Sequence, residues 1–249
     1  MEQRLAGKVI IVTGAESGIG RAITLRCAAE GAKITATGLV EDGLKETAKL
    51  AGSKSVLPLV TDVRDYNQVE AAVKRTVSEF GRLDAAVANA GGSWAPRAPL
   101  IDSDIEGWKR TIDTNLTGVF LTLRAAARVL VAQGQGGSLL ATGSSTAIRP
   151  MPFMYAYMAS KGGVHQLMRA LAVDLAPYRI RVNTIVPGGT ATPPVLAQTD
   201  YAERNFPTVP MKELVQPEEL AAFVAFALSD EAPHMTGTLL KVDAGRTSI

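Results

Sequence analysis

Cysteine is almost absent from this 249-residue chain, Cys27 being the only one. A disulfide needs two, so no intrachain bridge can form, and a cysteine-rich zinc site is excluded with it. Histidine is nearly as scarce. His165 and His234 stand alone, too few for a histidine metal cluster, and no metal site is expected. An excess of one charge sign is missing too. The 26 Lys and Arg against 24 Asp and Glu leave a net charge of +2. That is too little to argue for nucleic acid or an acidic membrane surface, and neither is expected as a partner. No apolar run approaches the roughly 18 residues that suggest a membrane span. The polar opening, Met1-Glu2-Gln3-Arg4-Leu5-Ala6-Gly7-Lys8, does not read as a secretory signal, so a cytoplasmic location is the expectation.

What is present suits an ordered globular protein: 47% hydrophobic residues with mixed charges. Short apolar runs fall at residues 9–12, 34–37, 56–60, 84–88, 138–141, 181–186 and 239–242. Several are nearly continuous in apolar or β-branched residues, as in strands covered on both faces. Helical periodicity fills the gaps. Ile19, Ile23 and Cys27 form one stripe, and Val69, Val73, Val77 and Phe80 another. Leu220, Phe223, Val224 and Ala227 form a third, opened by Gln216-Pro217-Glu218-Glu219. This alternation predicts an α/β fold: a doubly wound, seven-stranded parallel sheet with helices on both faces. No linker or repeat divides it, so residues 1–249 read as a single domain. The least regular stretch, 188–215, holds Gly188, Gly189, Pro193, Pro194, Pro207 and Pro210. It reads as a substrate lid rather than a disordered loop, because Val195, Leu196, Phe206, Val209 and Met211 call for cover.

The first strand runs into Thr13-Gly14-Ala15-Glu16-Ser17-Gly18-Ile19-Gly20 and then a helix. Strand, glycine turn and helix N-terminus together make an anion site suited to a pyrophosphate. On its own the motif serves chain reversal equally well. An acid that would hold an adenosine ribose is expected at the end of the second strand, where Gly38 and Leu39 stand instead. No Lys or Arg is there for a 2′-phosphate, and Glu16 adds negative charge beside the turn. The balance leans towards NAD over NADP.

Tyr157 and Lys161 are four residues apart, on one face of a helix. An ammonium beside a phenol lowers its pKa from about 10 and makes it a usable acid/base. The phenol could then exchange a proton with an alcohol or carbonyl oxygen while hydride moves to or from a nicotinamide. Ser144, just past an apolar strand, can hydrogen-bond that oxygen. A bare Tyr-x3-Lys pair is more often a surface feature, and only its company with the glycine turn changes the reading.

Taken together, these motifs resemble those of the short-chain dehydrogenase/reductase family over essentially the whole chain. The glycine turn matches the family's cofactor turn, with Gly14, Ser17, Gly18, Ile19 and Gly20 as cofactor contacts. Asp62-Val63 matches its adenine-contacting pair. Asn89-Ala90-Gly91 matches the motif ending the fourth strand, although Ala88 stands where a second Asn is common. Tyr157-Met158-Ala159-Ser160-Lys161 matches the signature. Asn183 to Pro187-Gly188, with Thr192, matches the segment after the sixth strand.

The resemblance implies roles. Tyr157 is the acid/base, and Lys161 binds the nicotinamide ribose and lowers the tyrosine pKa. Ser144, rather than the adjacent Ser145, orients the substrate oxygen. Asn115 holds a water in a proton relay. It implies a nicotinamide-dependent oxidoreductase acting on a secondary alcohol or ketone. A catalytically silent dinucleotide-binding protein and a lyase or epimerase with transient oxidation are the alternatives. It also implies a homo-oligomer, dimer or tetramer, through the helix bearing Val164, Leu167, Met168, Leu171 and Leu175 and the one at 116–130. Trp94, Arg97, Met151, Phe153 and Tyr155 are candidate pocket residues. Arg97 and Arg149 would favour an anionic substrate if either faced the pocket. His165 and His234 are read as packing or surface residues.

Overall fold

The computed structural model describes residues 3–52 and 54–249. Its seven strands all pair in parallel in the order β3-β2-β1-β4-β5-β6-β7. They are β1 Val9–Thr13, β2 Lys33–Gly38, β3 Val56–Val60, β4 Ala85–Ala88, β5 Gly137–Thr142, β6 Ile180–Pro187 and β7 Leu239–Val242. These match the seven apolar runs to within a residue or two. The strand order reverses between β1 and β4, and such a reversal opens a crevice at the carboxyl ends of the strands.

Helices cover both faces. Three lie on one side: α1 Gly18–Ala29, α2 Glu41–Ala51 and a late helix, Pro217–Leu228. The other side carries α3 Tyr66–Phe80, the run α4 Ile105–Ile112 into α5 Gly118–Gln133, and α6 Tyr155–Leu175. Side chains alternate along each strand. Ile10 and Val12 of β1 join Ile23, Leu44, Leu220 and Val224 in one core, while Ile11 joins Val73, Leu123, Leu130 and Met168 in the other.

Caps set several helix starts. The Asp65 carboxylate accepts from Asn67 N and Gln68 N at the start of α3. Gln216 N donates to Glu219 Oε2 at 2.6 Å, the tie expected of the Gln216-Pro217-Glu218-Glu219 signal.

Between α4 and α5 one turn, Asp113–Thr117, widens to the π form without breaking the axis. The resulting helix, Ile105–Gln133, is long and apolar enough to cross a bilayer by length and composition, which corrects the expectation that no stretch would pass that test. Its apolar side is spent on the sheet, through the buried Val119, Leu123, Ala126 and Leu130. Arg124 and Arg128 pair with Glu70 on the outside.

The segment 188–215 is folded. It carries two short helices, α7 Pro193–Leu196 and α8 Tyr201–Asn205, and a tight turn at Phe206–Thr208; α9 is the Pro217–Leu228 helix. Val209 is buried, but Leu196 and Met211 are 62% and 63% exposed. The expectation that its apolar residues would all find cover is corrected for these two.

Candidate active site

Two adjoining cavities open at the carboxyl ends of the strands and share Ile19, Thr142, Tyr157, Thr192 and Val195. The first, of about 420 Å³, is an elongated cleft over the switch point. Gly14, Ser17, Gly18, Asp62, Val63, Asn89, Ala90, Gly91, Tyr157, Lys161 and Thr192 line it. Pro187 and Gly188 line the second cavity, of about 260 Å³, together with Ser144 and Tyr157.

The glycine turn bends because Gly14 adopts φ +65°, a left-handed conformation disfavoured for other residues. A side chain at Gly20 would strike Gly14 O and Asn89 Nδ2. Gly20 therefore lets helix and strand approach and does not line the cleft, a correction to its reading as a cofactor contact. No side chain caps the first turn of α1, so its free N–H groups remain available to an anion. Asn89 ties the strand ends together. Its Nδ2 donates to Thr13 O at 3.0 Å, and its Oδ1 accepts from Thr142 Oγ1 at 3.0 Å.

The acid missing at the end of β2 comes from elsewhere. Glu16, in the glycine turn, reaches across to β2. Its Oε1 accepts from Leu39 N at 3.2 Å, and its Oε2 is buried without a partner. A methyl group at Gly38 would land on that carboxylate. Gly38 therefore makes room for Glu16. The sequence held both residues but not their proximity, which needs the β1–β2 register Thr13↔Thr37. Arg64, also at the cleft, is held by Asp62 at 2.6 Å. That ion pair, led by the side-chain hydrogen bond, keeps the Asp62 carboxyl below its ordinary range.

One face of α6 presents Tyr157, Lys161 and His165 at four-residue intervals. Lys161 is 3% exposed, and its Nζ donates to Thr142 O at 2.7 Å. Burial lowers its pKa to about 8. Nζ lies 5.8 Å from the Tyr157 ring centre. Burial also raises the Tyr157 pKa above the ordinary phenol range, with the Ser144 hydroxyl pulling the other way and Tyr201 adding to the rise. The expected lowering of the tyrosine by Lys161 is thus not present in the protein alone. Burial is the largest influence on the phenol, and Lys161 is not among the groups that shift it.

Ser144 and Ser145 both line the second cavity, and it is the Ser144 hydroxyl that pulls the Tyr157 pKa down. Ser144 Oγ lies 2.9 Å from Thr146 Oγ1, and Ser144 N donates to His165 Nε2 at 3.2 Å. His165 was not among the predicted site residues. Burial, with Lys161 as a second cause, lowers its pKa to about 4, so the ring is neutral and can accept at Nε2. A side chain at Gly143 would strike that ring. The i, i+4, i+8 spacing was the only signal available in the sequence.

Asn115 sits in the widened turn, fully buried, and lines neither cavity. Its Nδ2 donates to Gly92 O at 2.8 Å and Ser160 Oγ at 3.0 Å, and its Oδ1 accepts from Gly92 N at 2.9 Å. The side chain is fully engaged in clamping the loop after β4 to α6.

The candidate pocket residues divide. Arg97 and Met151 line the second cavity, as does Met154. Trp94 lines the cleft, with the Arg110 guanidinium 5.1 Å from its ring centre. Phe153 is exposed, and Tyr155 stacks on Trp108 at 6.3 Å. These two do not line the cavity, since α6 begins at Tyr155 and turns them away.

The cleft fits a dinucleotide by its own features: the uncapped helix start, the unpartnered Glu16 oxygen and the buried Lys161. Comparison with known proteins agrees. The family described as enoyl-(acyl carrier protein) reductase matches residues 14–247. A cis-4-hydroxycyclohexanecarboxylate dehydrogenase of Sinomonas cyclohexanicum is 38% identical over 253 residues, 100% of both chains. Levodione reductase of Leifsonia aquatica is 35% identical, over 98% of this chain and 96% of its own. The crystal structure of 3-ketoacyl-(acyl-carrier-protein) reductase from Brucella melitensis, complexed with NADH, superposes with a TM-score of 0.90 at 34% identity, covering 98% and 99% of the two chains. The chain belongs to the short-chain dehydrogenase/reductase family, oxidoreductases that move hydride between a nicotinamide cofactor and an alcohol or ketone carbon.

Proposed function

We propose that this protein is an NAD-linked dehydrogenase or reductase of secondary alcohols and ketones, with Tyr157 as the acid/base. The observation that carries the reading is the position of Tyr157 at the junction of the two cavities, with Lys161 in the cleft and Ser144 in the neighbouring cavity. A bound nicotinamide would supply the hydride acceptor or donor. Residues Gly14, Ser17, Gly18, Ile19, Asp62, Val63, Asn89, Ala90, Gly91 and Thr192 would hold the cofactor in the cleft, with Pro187 and Gly188 at its nicotinamide end. Ser144 orients the substrate oxygen by a hydrogen bond. Tyr157 takes the hydroxyl proton during oxidation and returns it during reduction. Lys161 would hold ribose hydroxyls and, together with the positive charge of an oxidised ring, would favour the phenolate that the protein alone does not. Asn115 keeps Lys161 and Gly92 in register. The segment 188–215 serves as a lid, since Val195, Tyr201, Asn205 and Val209 form one wall of the cavity.

Glu16 supports NAD over NADP. Its carboxylate accepts hydroxyls, and it would repel a 2′-phosphate. The open apolar face formed by Phe120, Val131, Leu171, Leu175 and Tyr178 supports a homo-oligomer. A cytoplasmic location belongs to the same reading.

The test is a steady-state screen of secondary alcohols with NAD and NADP, run on wild type, Tyr157→Phe and Glu16→Gln. Tyr157→Phe loses activity by about a thousandfold or more, while NADH still binds in a fluorescence titration. Glu16→Gln narrows the NAD preference by roughly tenfold, the size of one charge-assisted contact. Full activity in Tyr157→Phe sinks the mechanism, and an NADP preference in wild type sinks the cofactor assignment.

A further inference from the structure

The substrate cavity carries two arginines. Arg97 and Arg246 line it, and among the described residues no Asp or Glu does. Arg246 is only 6% exposed, and its Nε is buried with no hydrogen-bond partner. One arm of the guanidinium is used structurally, since Nη2 donates to Arg149 O at 3.0 Å. Arg149 returns the tie through Nη1, donating to Arg246 O at 3.3 Å and to Thr208 O at 2.9 Å. That accounts for Arg246 as a strut between the C-terminal turn and the loop before α6. It leaves Nε idle.

None of these three arginines is ion-paired among the described residues. The acid nearest in sequence, Asp243, spends its oxygens on Gly245 N at 3.1 Å and Thr247 N at 3.0 Å. A buried guanidinium without a direct ion pair is costly: burial and the like charge of Arg149 pull the Arg246 pKa down, with Tyr201 and Asp243 opposing only in part. The strut contacts offset part of that cost, and an anion in the cavity would offset more.

We propose that this cavity takes an alcohol or ketone that also carries a carboxylate, held by the Arg246 and Arg97 guanidiniums while its carbinol end meets Ser144 and Tyr157. This rests on the dehydrogenase reading above. Arginine offers a planar donor fork matched to a carboxylate. Tyr201 lines the same cavity, and its phenol feels both Arg246 and Arg97. A cavity of about 260 Å³ suits a small hydroxy or keto acid. That a relative is named for oxidising a hydroxycyclohexanecarboxylate agrees with the same chemistry.

The probes are 4-hydroxycyclohexanecarboxylate, 3-hydroxybutyrate and mandelate, each beside its methyl ester. In wild type, kcat/KM for the best acid exceeds that of its ester by about tenfold or more. The ratio falls towards one in Arg246→Gln and part of the way in Arg97→Gln. Equal turnover of acid and ester in wild type, or an unchanged ratio in both variants, overturns the proposal. If Arg246→Gln no longer binds NADH, its fold is lost, and the decision passes to Arg97→Gln and to wild-type inhibition. There cyclohexanecarboxylate competes with the alcohol and cyclohexanecarboxamide does not; equal inhibition by both counts against the anion site. Absence of turnover with every alcohol overturns the dehydrogenase reading instead. In that case thermal protection of the NADH-bound protein by cyclohexanecarboxylate, but not by the carboxamide, still upholds the site, and no protection removes it.

Discussion

At the scale of single residues, Lys161 is a buried cation with no carboxylate partner among the described residues. Its ammonium is buried against Thr142 O and its pKa is lowered to about 8. A lysine whose charged form is disfavoured in the folded state destabilises the fold at every pH where the unfolded chain keeps it protonated. The full penalty applies below pH 8, shrinks as pH rises from about 8 towards the ordinary 10.5, and vanishes above it. The gap corresponds to about 3 kcal/mol at neutral pH. Part of that is returned by the hydrogen bond to Thr142 O, which a substitution leaves unmet. Lys161→Met should therefore be inactive and more stable than wild type by about 1–2 kcal/mol at pH 7. In urea titrations of the cofactor-free protein, the difference should fade by pH 10. Equal or lower stability at pH 7 would mean that the charge is better solvated than its burial implies. A bound cofactor would relieve the same stress, because its ribose hydroxyls supply acceptors that the protein withholds.

At the scale of elements, α6 carries the chemistry on one face and packing on the others. Val164 and Met168 are buried in the core, while Tyr157, Lys161 and His165 point along a single edge. His165 reaches back to Ser144 N, fixing the turn after β5 from the helix that bears the tyrosine. Removing that acceptor frees the serine without touching the cleft. His165→Leu should lower kcat by about tenfold and leave the NADH Kd unchanged, with Ser144 hydrogen exchange accelerated in the variant. A loss confined to cofactor binding would remove His165 from serine positioning. The helix also marks the boundary of what sequence conveys. The strand runs, the glycine turn and the 157–161 spacing were legible because each depends on neighbours in the chain. His165 with Ser144, and Glu16 with Gly38, were not, since those contacts exist only once β1 lies beside β2 and β5 beneath α6. Asn115 shows the opposite failure. Its motif was legible, but the widened turn that spends its amide on Gly92 and Ser160 is not a feature periodicity can reveal.

At the scale of the whole molecule, the balance of covered and open apolar surface points to self-association. The two cores are closed by helices on both faces of the sheet, yet the outer sides of α5 and α6 leave Phe120 44% exposed beside Leu171, Leu175 and Tyr178. Arg124 and Arg128 rim this groove and share the single carboxylate of Glu70, which leaves the apolar floor open between them and the helix α6 side chains. A second copy placing the same face here would satisfy an isologous contact, the commonest way such a patch is closed. It would also brace α6 from the side opposite the sheet and so steady Tyr157 and Lys161. The expected result is a dimer or tetramer in light scattering. Phe120→Asp combined with Leu171→Asp should give monomers, because each buried aspartate in an apolar interface is costly. Those monomers should retain NADH binding but show a lower Tm and a kcat reduced by several-fold, since the cleft is complete within one chain while its catalytic helix loses outside support. Monomeric wild-type protein at micromolar concentration would refute the assembly and leave the patch as a feature of the isolated chain.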